Sequence, residues 1–388
     1  MGPKVFHRVR SSMSSTRDLQ APWERPLSKR LIISYVVDWI FILFTGALGR
    51  IVKVAEPNRR PFSLTDQNIS YPFAVHERVP VATLMMASLL VPAAVIAVFS
   101  MLIVPGPADK RAFGAEAWRR KFWEWNAGWM GLGVAYAGVY AATEAMKVMF
   151  GKPRPDLLDR CDPDLSNIAA HVIGGLGGQV AGAPSLVSWT ICRNTTKRLL
   201  KDGFVSFPSG HSSMSFAGLT YLSLWLCAKL AITIPFLSVA SLQEVEQPNL
   251  NKSPVSLRNR GAAPPTVLVL LVFVPIVAAT YIASSRWADS RHFAFDILFG
   301  ALLGIAFAWL GFRLYHLPLN SGQGWAWGAR DKNRAFFGDI DHTSYAADRA
   351  LSTTRNAGSF SPNSAERNRD ELLPTTGERP NGSSTNGY

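Results

Sequence analysis

Charge is scarce in this chain. Asp, Glu, Lys and Arg make up 17% of its 388 residues, against about 25% in an ordinary soluble domain, so much of the surface is not expected to face water. Cysteine is rarer still, at three. That excludes a disulfide framework and a zinc cluster built on paired CxxC motifs. Residues 1–30 carry Lys4, Arg8, Arg10, Arg17, Arg25, Lys29 and Arg30 but lack the apolar stretch and small-residue cleavage site of a signal peptide. No repeat period is present, and nothing reads as a sheet. A small secreted scaffold, a coiled coil and a wholly disordered chain are excluded.

What is present is apolar bulk: 48% hydrophobic residues, with 22 Phe, 12 Trp and 30 Gly. It is concentrated in six segments, near 31–49, 79–103, 123–149, 212–232, 265–284 and 293–315. Each is about 18 residues or longer, enough to cross a hydrocarbon core of about 30 Å as a helix. Buried helices of a large soluble protein are the competing reading, but six such lengths with few charges fit a bilayer better. The expected fold is all-α, a polytopic membrane bundle of six transmembrane helices. Gly128, Gly131 and Gly133 suit close helix packing, and Trp118, Trp123, Trp125 and Trp129 suggest an interfacial belt at one end of the third span. The expected organisation is a basic segment over 1–30, a six-span domain over 31–318 and a disordered tail over 319–388.

The longest linker, about 150–211, holds the run Gly174-Gly175-Leu176-Gly177-Gly178 and the two cysteines outside a span, Cys161 and Cys192. An even number of spans puts both termini on one side. The linkers after spans one, three and five then share the opposite side.

Ionisable residues at that face form three clusters, and charge beside a span is costly enough to mark a functional candidate. Lys147 ends the third span and is followed by Arg154-Pro155; Pro208-Ser209-Gly210-His211 opens the fourth; Ser285-Arg286, His292 and Asp296 lie between the fifth and sixth. Lys147, Arg154 and Arg286 suit the oxygens of a phosphate. Ser209 offers a hydroxyl, and Gly210 lets a backbone N–H approach an anion at a helix start. His292 and Asp296, spaced i, i+4, share a face if both are helical. The carboxylate would then hold one imidazole nitrogen protonated and leave the other as a nucleophile. His211 is placed as general acid. Singly each feature has a bland reading: a snorkelling cation, a helix stop, a surface hydrogen bond. A metal on the two histidines is disfavoured because the neighbours are mostly cations. Their co-occurrence on one face favours chemistry.

The pattern Lys147-x6-Arg154-Pro155, Pro208-Ser209-Gly210-His211 and Ser285-Arg286-x5-His292-x3-Asp296 resembles the three-part signature of the type 2 phosphatidic acid phosphatase (PAP2) superfamily, matching at all eleven fixed positions. The resemblance covers about residues 30–315. The runs Gly151–Asp156 and Lys201–Phe207 look like those of fungal diacylglycerol pyrophosphate phosphatases. Phe293 departs from the second His found in many relatives, and the loop between the first two motifs is long.

The resemblance implies an integral-membrane lipid phosphate phosphatase acting on diacylglycerol pyrophosphate, phosphatidate or lysophosphatidate. His292 would form a phosphohistidine, with Asp296 stabilising its imidazolium and His211 protonating the departing oxygen. Lys147, Arg154, Ser209, Gly210 and Arg286 would hold the phosphoryl oxygens. No metal and no cofactor would be needed. The partner is a phospholipid in the bilayer rather than nucleic acid; the oligomeric state is open. The family's site faces the lumen or exterior, with cytoplasmic termini, which would let Cys161 and Cys192 pair. Flanking charge does not decide the side: Arg17, Arg25, Lys29 and Arg30 precede the first span, and Arg50, Lys53, Arg59 and Arg60 follow it. Sphingoid-base phosphates and polyisoprenyl pyrophosphates are alternative substrates. Vanadate-dependent haloperoxidases share the signature but are generally soluble. An anion transporter or scaffold is the reading from another class; it is disfavoured because the clusters sit at span ends rather than at the midplane.

The basic excess of +13 is placed by the same reading. The tail from 320 is balanced at eight basic and eight acidic residues, so the excess lies in residues 1–319. Part of it, including Lys147 and Arg154, is expected to face a phosphate.

Overall fold

The computed structural model describes residues 29–104, 114–230, 232, 264–319 and 326–327. The expectations for residues 1–28, and for the tail apart from 319 and 326–327, lie outside the described residues.

Each apolar stretch forms a long helix. They are α1 (Lys29–Val54), α2 (Val81–Met85) continued through a π turn (Met86–Leu90) into α3 (Val91–Leu102), α4 (Ala115–Phe150), α7 (Gly210–Lys229), α8 (Thr266–Ala288) and α9 (Ala294–Tyr315). The π turn has a local cause. Pro92 has no N–H and its ring would clash with the carbonyl of Ser88, so the helix widens just before it. Four helices are long and apolar enough to cross a membrane: Ile32–Val54, Val81–Leu102, Thr266–Ala288 and Ala294–Tyr315. The other two, α4 and α7, differ because of where they sit.

Helix α7 is the axis of the bundle, packed against α4, α8 and α9 and buried along most of its length. It faces protein rather than lipid, so it carries hydroxyls that bond its neighbours. Ser212 Oγ donates to the Ile297 carbonyl at 2.7 Å, Ser223 Oγ to Val272 at 2.7 Å and Tyr221 Oη to Gly128 at 2.9 Å. Ser213 pairs with Thr143 of α4 at 2.8 Å. Helix α9 lies almost on the backbone of α7. A Cβ on Gly304 would stand 2.4 Å from the Ser213 carbonyl, and one on Gly300 2.7 Å from that of Ser209. Small residues here bring the start of α9, with its acidic residue, to the start of α7. Helix α4 has 36 residues and spans about 54 Å. Its first turns hold Trp118, Arg119, Arg120 and Lys121, and Glu124 forms a buried ion pair with Lys229 of α7.

The linkers 55–80 and 151–209 build a lobe at the other end of α4 and α7. Short helices α5 (Leu157–Cys161) and α6 (Lys197–Gly203) pack with Phe62, Ile69, Val187, Ile191 and Phe204. Contrary to the expectation that nothing forms a sheet, β1 (Val172–Gly175) and β2 (Ser185–Val187) pair antiparallel. Their glycines and alternating residues fold back through the Gly-rich run, which reads as loop when helical periodicity is sought. Phe62 extends the edge, its N–H donating to the Val187 carbonyl at 3.2 Å.

Cys161 and Cys192 form a disulfide with Cα atoms 4.6 Å apart and a sequence separation of 31. Closing a loop of that length removes about 3–4 kcal/mol of denatured-state freedom. Changing both to Ser is expected to raise the rate of limited proteolysis between residues 162 and 191 at least tenfold, an effect of about 1.4 kcal/mol or more. Unchanged protection would contradict a stabilising role for the bridge.

Candidate active site

The three sequence clusters meet where the lobe sits on the bundle. Arg154 leaves α4 through Gly151, Lys152 and Pro153 and turns back under the lobe. Its guanidinium Nη1 lies 3.2 Å from His292 Nε2 and donates to the Arg291 carbonyl at 3.0 Å. The Ser209 N–H donates to the Asp296 carbonyl at 3.0 Å. Lys147 Nζ would stand 2.9 Å from a Cβ on Gly210, so the missing side chain leaves room for the ammonium at the first turn of α7. His211 Nε2 and Arg286 Nη2 share the Val79 carbonyl, at 3.0 and 3.1 Å. Thus signature residues up to 149 positions apart in sequence, from Lys147 to Asp296, close one site.

The tautomer of His292 follows from its partners. A guanidinium only donates, so Nε2 must accept; Nδ1 therefore carries the proton and donates it to the Ser206 carbonyl at 2.6 Å. The ring is buried, and burial together with Arg154, Lys147 and His211 pushes its pKa well below the ordinary histidine value. His292 is a neutral base with its lone pair turned toward a cation.

Asp296 does not touch His292. The expected helical pairing fails because His292 precedes α9; Phe293 is the N-cap and Asp296 lies in the first turn. Instead Asp296 Oδ2 accepts from Ser206 Oγ at 2.6 Å and from the Phe293 N–H at 3.3 Å. Its Oδ1 accepts from Lys152 Nζ at 2.7 Å.

The cage cations are counterbalanced by carboxylates. Lys147 pairs with Glu144 at 2.8 Å. Arg154 donates through Nε to the Asp202 carbonyl at 2.6 Å and through Nη2 to its carboxylate at 3.1 Å. Arg286 is held by Glu77 at 2.8 Å and Asp289 at 2.9 Å. Arg291 meets Glu77 at 3.3 Å and Asp202 at 3.5 Å. Desolvation would raise the Asp202 pKa, but Arg154, Arg160, Lys147 and Arg291 outweigh it and hold the carboxyl below its usual range. Ser209 stands apart: its hydroxyl is fully buried and finds no partner among the described residues. A buried orphan hydroxyl costs about 1–3 kcal/mol, and a phosphoryl oxygen beside it would remove that cost.

Ser206, Lys152, Glu77 and Asp202 contribute to the site without belonging to the signature. Lys152, Asp202 and Ser206 lie in the runs flanking the first two motifs. Glu77 has no motif around it; its one signal is a carboxylate just before an apolar stretch. Among the described residues no group of three or more His, Cys, Asp or Glu gathers as a metal site.

A family model described as the PAP2 superfamily matches residues 128–318. The chain is similar to diacylglycerol pyrophosphate phosphatase 1 of Saccharomyces cerevisiae, at 30% identity over 286 residues, 73% of this chain and 80% of that protein. It is 31% identical to the probable diacylglycerol pyrophosphate phosphatase 1 of Schizosaccharomyces pombe over 68% of this chain and 75% of the other. Probable lipid phosphate phosphatase 4 of Arabidopsis thaliana is 27% identical over 75% of this chain and 76% of its own length. No solved structure matches the chain.

Proposed function

The chain belongs to the PAP2 superfamily, and from that premise we propose that it is an integral-membrane phosphatase that hydrolyses lipid phosphates through a phosphohistidine on His292. Its substrates are diacylglycerol pyrophosphate, phosphatidate and lysophosphatidate. The observation that carries this reading is the neutral His292, whose Nε2 lone pair faces the Arg154 guanidinium at 3.2 Å. The buried Ser209 hydroxyl, without a partner among the described residues, supports a phosphoryl oxygen as its ligand.

The Nε2 lone pair attacks phosphorus as the P–O bond to the lipid breaks, and its electron pair leaves on the lipid oxygen. His211, an imidazolium while the substrate's phosphate is bound beside it, gives that oxygen a proton and is left neutral. From a pyrophosphate the leaving group is phosphatidate; from phosphatidate it is diacylglycerol. In the second step His211 takes a proton from water, the water oxygen bonds to phosphorus, the N–P bond breaks and phosphate departs. Lys147, Arg154, Arg286 and the first N–H groups of α7 bear the charge on the equatorial oxygens, a role that magnesium fills in many phosphoryl-transfer enzymes. Guanidinium and ammonium groups at those positions repel a metal, which supports a metal-independent reaction.

All six long helices cross the membrane in this reading, α4 and α7 as interior spans. The Cys161–Cys192 disulfide supports a lumenal or exterior lobe, since such bridges persist in oxidising compartments. The test is phosphate release by purified protein in detergent micelles from each of the three lipids, with and without EDTA. Release unaffected by EDTA is expected. Loss on chelation, restored by magnesium, would overturn metal independence, and no release from any of the three lipids would overturn the substrate class.

A further inference from the structure

We propose that Ser206 and Lys152 are positioning residues for the His292 nucleophile, coupled to it through Asp296; the proposal rests on the phosphohistidine reading above. The contacts form one line. His292 Nδ1–H donates to the Ser206 carbonyl at 2.6 Å. The Ser206 residue is fixed at its other two polar groups, its N–H donating to the Lys152 carbonyl at 3.0 Å and its hydroxyl to Asp296 Oδ2 at 2.6 Å. Lys152 then closes the line with its ammonium on Asp296 Oδ1 at 2.7 Å, beside the Phe293 ring at 4.3 Å. Asp296 also fixes the residue after the nucleophile, through the Phe293 N–H.

Ser206 and Asp296 are fully buried, so water does not replace a lost bond between them. The third member of this triad is a peptide carbonyl, and the carboxylate acts one residue behind it. A carbonyl cannot take the Nδ1 proton, so that proton stays on the ring and Nε2 remains the only nucleophilic nitrogen. When Nε2 bonds phosphorus the ring becomes cationic, the bond to the Ser206 carbonyl becomes charge-assisted and strengthens, and the Asp296 charge stabilises it from behind. Removing the Ser206 hydroxyl frees the carbonyl to drift, and a misplacement near 1 Å costs about 100-fold in rate.

The test measures kcat, KM and inhibition by orthovanadate in detergent for wild type, His292→Ala, Ser206→Ala, Ser206→Thr, Lys152→Met, Lys152→Arg and Asp296→Asn. Ser206→Ala is expected to lower kcat about 10- to 100-fold and to weaken inhibition by vanadate, which bonds the same Nε2, while leaving KM within about twofold; Thr is expected to restore both to within about threefold. Lys152→Met, altered on a side chain 34% exposed, is expected to lose about tenfold in kcat and Lys152→Arg to regain most of it. Adding Ser206→Ala to Asp296→Asn is expected to cost nothing further, because both cut one line. Full kcat in Ser206→Ala and Lys152→Met, or a loss of kcat with vanadate inhibition unchanged, would overturn the proposal; so would multiplying losses in the double variant. If His292→Ala is inactive while Ser206→Ala and Lys152→Met keep full kcat, only this proposal fails. Equal release by wild type and His292→Ala would remove the phosphohistidine reading and this proposal with it.

Discussion

His292→Ala is expected to lower kcat by about 10⁴-fold or more without unfolding the protein. In the proposed mechanism the ring is the nucleophile, and among the described residues no second imidazole bonds to Arg154. Loss of the ring frees the Ser206 carbonyl and one Arg154 donor, each already served by another partner or by water admitted to the new space. The stability cost is therefore about 1–3 kcal/mol, visible as a modest fall in thermal midpoint. The check is phosphate release alongside that midpoint, and a folded variant within tenfold of wild type would contradict the role. The neutral state of His292 adds a condition on pH. Burial and the neighbouring cations depress its pKa, so the nucleophile stays unprotonated where an exposed histidine ionises. Wild-type kcat/KM is expected to lose little between pH 7 and about pH 6 through this group.

Arg154→Lys is expected to cost about 10²- to 10³-fold in kcat/KM, although the charge is kept. Arg154 uses three nitrogens at once: Nε and Nη2 on Asp202, and Nη1 on both the Arg291 carbonyl and His292 Nε2. A lysine ammonium reaches one of these places, and the planar fork that points at the nucleophile is lost. The side chain is also buried, so a lysine would leave Asp202 short of its partner or the nucleophile short of its cation. Steady-state kinetics with phosphatidate micelles measure the loss. Less than a tenfold change would mean that the charge alone matters and the fork does not.

How much of this was legible in the sequence follows the range of the interactions. The six helices fall on the six apolar stretches because length and hydropathy are local properties. Helix α7 reads as an apolar stretch of the same kind as α1, yet its hydroxyls mark an interior position only once Ser212, Ser213 and Ser223 are seen bonding to α9, α4 and α8. The motif residues converge as spacing and parity imply. What spacing does not convey is the contact pattern inside the site. The i, i+4 pairing of His292 with Asp296 presumes a helix through both, and the helix begins between them. The partners that do hold the site, Ser206, Lys152, Glu77 and Asp202, arrive from linkers where no periodicity constrains the chain. The β1–β2 hairpin was hidden for the same reason, since its Gly-rich turn carries no strand pattern of its own.

The site also explains why so few charges suffice in so apolar a chain. Many of them pair with one another where the lobe meets the bundle: Arg154, Arg160, Arg286 and Arg291 meet Glu77, Asp156, Asp202 and Asp289. Such pairs contribute little net stability when buried; they fix the direction of each cation before substrate arrives, which is what electrostatic preorganisation requires.

The central claim is that phosphorus passes through His292 before it meets water, and the stereochemical course of the reaction tests it most directly. A lipid thiophosphate made chiral at phosphorus with oxygen isotopes would be turned over in labelled water and the product configuration read. Two in-line displacements predict retention. Inversion would mean that water attacks the lipid phosphate in a single step, and the phosphohistidine account would be wrong.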